Sequence, residues 1–145
     1  MIFFLLLALA AGVLLPVQAG LNAQLRSALG SPIAAAFISF LVGTAALAAA
    51  TLVFRVSFPV SRAWAVTHPV QWSGGMIGAL YVLAAVVLAP KLGAGTLVAA
   101  VVAGQMITSL LLDHYGLIGF PVHSFSPIRL MGAALITAGV VLIQR

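Results

Sequence analysis

Cysteine is absent from this chain of 145 residues, and charged residues make up only 5% of it. Without cysteine there are no disulfides, no thiolate nucleophile and no Cys-based metal site. Asp113 is the single acidic residue and glutamate does not occur, so paired-carboxylate catalysis has no residues to build it. His68, His114 and His123 are the three histidines, and none stands at the i,i+4 spacing that lets two imidazoles of one helix share a metal. Neither a nucleophile elbow nor a phosphate-binding loop is present. No enzyme, metal or other cofactor is therefore expected. Six basic residues give a formal charge of +5, but they are scattered singly. A nucleic-acid partner, which needs clustered Lys and Arg, is excluded on that ground.

What remains is apolar. Hydrophobic residues make up 64% of the chain and its mean hydropathy is +1.30, far above an ordinary soluble domain. Membrane lipid is the expected surrounding. A spanning helix needs about 20 apolar residues, and five stretches qualify, at about 2–24, 32–54, 72–89, 96–112 and 128–144. Pro32 suits the first turn of the second stretch, and Pro90 with Lys91 is expected to stop the third. "LGAG" (residues 92–95) is expected to turn into the fourth. The connection "RVSFPVSRAWAVTHPVQ" (residues 55–71) reads as wet, with two arginines, two prolines and Trp64. The fold class is thus an all-α integral membrane protein, one transmembrane domain over residues 1–145. "VQA" (residues 17–19) ends the first run like a signal-peptide cleavage site, but no basic segment precedes it and its apolar part is long. A retained first helix is the reading adopted.

Five spans put the two termini on opposite sides. Arg55, Arg62 and Arg129 then share one side, and Arg26, Lys91 and Arg145 the other. Orientation follows a Lys/Arg bias between sides, and here three face three. Insertion in both orientations is the consequence expected, and two such copies can pair antiparallel about a two-fold axis in the membrane plane. No internal repeat is evident, so inverted symmetry has to arise between chains.

Polar residues inside the spans are few. Pro16 interrupts the first, and Gln18 and Asn22 follow at i,i+4 on one face. Gln105, Ser109 and Asp113 stand at i, i+4, i+8 in the fourth, with Thr108 alongside. Tyr81 lies among small residues in the third. Such groups are costly against lipid, so they face either a solute pathway or another helix, where amides act as packing glue. Both readings stay open for Gln18 and Asn22. Asp113 is read as a boundary charge, solvated or paired with an arginine. Ser39, Gly43, Gly74, Gly78, Gly132 and Gly139 are read as close-packing positions between helices or between chains.

Three blocks carry a resemblance: "LLPVQAGLNAQLRSALGSPIAAAFISFLVGT" (residues 14–44), "GGMIGALYVLAAVVLAPKLGAGTLVAAVVAGQMITSLLLDHYGLIGF" (residues 74–120) and "RLMGAALITAGVVLI" (residues 129–143). In order and spacing they resemble the YdcZ branch of the drug/metabolite transporter superfamily, small proteins of the bacterial inner (cytoplasmic) membrane. The resemblance implies a multi-pass, five-helix subunit that pairs antiparallel, as a dual-topology homodimer or with an oppositely oriented paralogue, into a ten-helix exporter. By analogy it is also similar to the small multidrug resistance proteins. Those carry a membrane-embedded glutamate that exchanges protons for cationic substrate, and this chain has none. The expected function is export of a small polar or amphipathic solute by alternating access, with Gln18, Asn22, Tyr81, Gln105 and Ser109 lining the pathway. The alternative is a non-transporting interaction or regulatory subunit of a larger membrane complex.

Overall fold

A computed structural model describes residues 1–144, and among them the regular structure is helical, with no strand. The order is α1 (Ile2–Leu29), α2 (Pro32–Val53), α3 (Val60–Val66), α4 (Gly74–Tyr115) and α5 (Pro127–Ile143), with 3-10 turns at Pro69–Ser73 and Leu117–Gly119. Arg145, one of the six basic residues sorted by side above, lies outside the described residues. Three helical stretches, Ile2–Leu29, Pro32–Val53 and Pro69–Tyr115, are long and apolar enough to cross a membrane, and α5 is a shorter apolar helix.

The helix ends follow local chemistry. α1 runs five residues beyond the expected Gln24, because nothing in "LRSAL" (residues 25–29) interrupts it. It ends where Gly30 takes the left-handed conformation (φ 69°) and donates its N–H to the Arg26 carbonyl at 2.8 Å. A residue with a Cβ is strained there, which is why glycine closes so many helices. Ser31 then caps α2 by accepting from the Ala34 N–H at 3.3 Å, and Pro32 takes the first turn, where its missing N–H costs nothing.

The connection 55–71 is largely exposed, as expected of a wet segment, but it also contains a short helix, α3, that the sequence pattern did not predict. A tertiary contact that no local pattern announces anchors it: the Trp64 and Trp72 rings meet at 5.3 Å, and Trp72 Nε1 donates to Thr67 Oγ1 at 2.9 Å. Pro90 does not stop the third helix, which continues through it to Leu92, but the break expected at "LGAG" is there: α4 is two helices that meet across a kink at Gly93 (φ 76°, ψ 160°). A proline removes one donor and strains one turn, whereas this backbone conformation is open essentially to glycine alone.

The chain divides into two compact units, Met1–Pro90 and Lys91–Arg145. In the first, α1, α2 and the opening turns of α4 close on a small core of Ala35, Ala36, Val82 and Val86, with Leu25 and Leu83 packed against it. Small side chains let the helix backbones approach closely. Most large apolar residues of α1, Phe3 to Val17 among them, stay exposed, as expected where lipid or another chain supplies the remaining cover. The second unit buries Leu97, Ala103, Leu110 and Ala133, and α5 returns along α4, so that a Cβ added at Gly95 would stand 3.7 Å from Ile143 Cγ2.

Candidate functional site

In the first unit, Gln18 and Asn22 of α1 meet Tyr81 of α4 across a crevice completed by Leu15, Ala19, Val82 and Ala85. Two spacings produce this. The i,i+4 step carries Gln18 and Asn22 down one face of α1, and Tyr81, Val82 and Ala85 share a face of α4. Alanines at 19 and 85 leave room between the helices. The crevice is about 10 Å³, close to the least that holds one water molecule. It is a polar seam in this conformation, not a chamber.

Asn22 is, among the described residues, the one polar side chain that is buried, at 7% exposure. No fully enclosed side-chain nitrogen or oxygen lacks a hydrogen-bond partner among them, and none of their side-chain bonds involves the Asn22 amide. The amide is therefore not fully enclosed, and Asn22 is one of the residues that line the crevice. Gln18 and Tyr81 are more exposed, and so are available to water, solute or a second chain. A separate groove of about 380 Å³ lies between α2 and α4, lined by Ile33, Phe37, Phe40, Met76, Leu80 and Leu83 among others. It has no polar group to orient a solute, which polar-ligand sites require.

The other expected site residues lie elsewhere. Gln105 and Ser109 are exposed in the second unit, on a different face of α4 from the buried Ala103 and Leu110. Asp113 pairs with Arg129 of α5, and Arg129 Nη1 also donates to the His123 carbonyl at 2.7 Å. His114 sits in the last turn of α4. Its ring stacks on Phe125 at 3.9 Å and accepts the Phe125 N–H at 3.2 Å. No group of three His, Asp or Glu side chains among the described residues is placed to hold a metal ion. Of the small residues read as packing positions, Gly78 meets Phe40, whose Cζ would lie 3.6 Å from an added Cβ. Gly43, Gly74, Gly132 and Gly139 face open space within one chain, and Ser39 is half-buried.

Sequence reasoning missed Arg26. It was counted as a side-setting charge, yet its Nη1 donates to the backbone carbonyl of Val86 at 3.2 Å and lies 3.5 Å from that of Val87. The signal was the Pro90 ring four residues after Val86, which takes away that carbonyl's helical donor. Which donor replaces it is invisible until the helices are assembled.

A family model described as "Putative inner membrane exporter, YdcZ" matches residues 3–142. No curated protein and no solved structure matches the chain. The family match takes in all but the first residue of the three helical stretches long enough to span a membrane, and all but the last residue of α5. This strongly apolar chain, helical throughout its regular structure and matched over nearly its whole length, belongs to the YdcZ family.

Proposed function

We propose that this chain is one half of an antiparallel exporter, in which the α1–α4 crevice forms part of the path of a small polar or amphipathic solute. Asn22 carries the reading: a side chain only 7% exposed, without a side-chain hydrogen bond among the described residues, that lines a crevice with Gln18 and Tyr81. A polar group kept inside a membrane helix pair at this cost is retained for a ligand or a partner. Gln105 and Ser109 of each copy complete the pathway, and the glycine faces left open at 43, 74, 132 and 139 meet the second copy or a paralogue. Neutral amides and hydroxyls favour a neutral or zwitterionic solute over an ion. Because the crevice admits about one water molecule, passage needs the helices to part, which rocking of one half against the other provides.

The test is Asn22→Leu in proteoliposomes, assayed for efflux of a panel of neutral and zwitterionic solutes, with cross-linking as the measure of dimer content. Loss of a saturable flux by at least tenfold with the dimer intact is the expected result. Dissociation of the dimer at unchanged flux per dimer would instead make Asn22 packing glue. A non-transporting subunit of a larger complex is the second reading, favoured by the exposed polar face at Gln105 and Ser109. It predicts copurification with an unrelated membrane protein and no flux from the chain alone.

A further inference from the structure

Each backbone N–H of an α-helix bonds the carbonyl four residues earlier, so Pro90 leaves the Val86 carbonyl without its helical donor, and its ring presses that carbonyl outward. In a soluble protein water fills the gap. Inside a membrane it has to be filled from within the protein. The atom in that position is Arg26 Nη1, 3.2 Å from the Val86 oxygen and 3.5 Å from the oxygen of Val87, the next carbonyl along the helix. Val86 is fully buried at the centre of the first unit's core, where a missing hydrogen bond costs most. Arg26 itself is half-buried, as a long side chain that covers apolar surface with its stem can be.

The position is as informative as the bond. Arg26 stands one helical turn beyond Asn22, and Val86 one turn beyond Val82, so the contact joins the same two helix faces that form the crevice. We infer that Arg26 is a positioning residue: it supplies the hydrogen bond that Pro90 withholds and thereby latches α4 to α1, fixing the Tyr81 side of the crevice opposite Asn22. The latch does not depend on what, if anything, passes through the crevice. Its chemistry is reversible, since a guanidinium can let go of a carbonyl without breaking the helix on either side. The turn before Pro90 is then the place where α4 can lean away from α1.

Arg26 and Pro90 do not have to touch for this to hold; they are coupled because they act on one oxygen. Replacing Pro90 by alanine restores the intrahelical N–H and makes the arginine dispensable. The chain's lack of cysteine allows a direct reading: Ala19→Cys and Ala85→Cys, on opposite walls of the crevice, are oxidised in isolated membranes and the rate of disulfide formation is followed. Arg26→Met is expected to slow cross-linking about tenfold where residue 90 is proline, the size expected for loss of a charge-assisted hydrogen bond. In a Pro90→Ala background the same change should matter less than about twofold. Arg26→Lys, which keeps a donor and the charge, should fall between.

An equal loss in both backgrounds overturns the inference and returns Arg26 to a charge that sets orientation. No loss with Pro90 present overturns it as well. If Arg26→Met fails to accumulate in membranes, the double variant decides: recovery by Pro90→Ala supports the latch, and failure of both sinks it. Solute flux is not a readout here, so the pathway proposal can fail while the latch stands.

Discussion

The two units use an arginine in opposite ways. In Met1–Pro90, Arg26 reaches across to a neighbouring helix and bonds a backbone carbonyl. In Lys91–Arg145, Arg129 stays at the start of its own helix and ties down the segment leading into it, through the Asp113 carboxylate and the His123 carbonyl. One guanidinium repairs a helix and the other organises a loop. The difference is where each unit's constraint lies. In the first unit α1 and α2 pack across the two-residue link Gly30–Ser31, and the longer connection from α2 to α4 is held by the Trp64–Trp72 contact, without any ion pair among the described residues. The second has to order eleven residues between α4 and α5, and does so with local bonds.

Glycines sharpen that comparison first. Gly30 and Gly116 both have positive φ, 69° and 62°, but a Cβ on Gly30 meets nothing within 4 Å, whereas one on Gly116 would stand 2.7 Å from Val122 Cγ2. Gly116→Ala is expected to lower stability by about 3 kcal/mol, strain plus overpacking, and Gly30→Ala by about 1 kcal/mol from strain alone. Thermal unfolding of the purified protein in detergent measures both. Equal effects would mean that the second unit's loop is no more tightly determined than the first unit's link.

Arg129→Ala comes next, at about 2 kcal/mol, because it strips donors from two acceptors and leaves a partly buried carboxylate unpaired. Asp113→Asn should cost about half as much, since a neutral amide oxygen still accepts. If the two cost the same, the ion pair alone matters and the bond to the His123 carbonyl contributes nothing.

The smallest effect tests what the units share. Ser31 and Ser126 each precede a proline and each accept an N–H at 3.3 Å from the third residue on. Replacing either by alanine should lower stability by about 1 kcal/mol, read in the same unfolding assay. A clear inequality would show that one cap is supported by its surroundings and the other is not.

Much of this was legible beforehand. Continuously apolar runs of about 20 residues are helices in lipid, since a helix satisfies its own backbone and barrel strands are shorter and alternate in polarity, and Ser31–Pro32 and Ser126–Pro127 mark helix starts by chemistry confined to four residues. The i,i+4 step from Gln18 to Asn22 likewise puts both on one face without any knowledge of neighbours. α3 was not legible, because its anchor is a ring contact between Trp64 and Trp72, eight positions apart and outside any periodic pattern. The path of α4 through Pro90 was hidden for a related reason. Proline ends a helix when the freed carbonyl finds no donor, and the donor here lies sixty residues away.

The sequence by itself determined the solvent, the helical class, the family and which side chains are too polar for lipid, because each follows from composition, from a period within one helix or from motifs in fixed order. Only the tertiary structure decided which helices those side chains join. It set Asn22 beside Tyr81 and left Gln105 exposed, and it turned Arg26 from a surface charge into a donor for the Val86 carbonyl. Helix rotation and pairing are fixed by packing between segments far apart in the chain, and no local spacing encodes them.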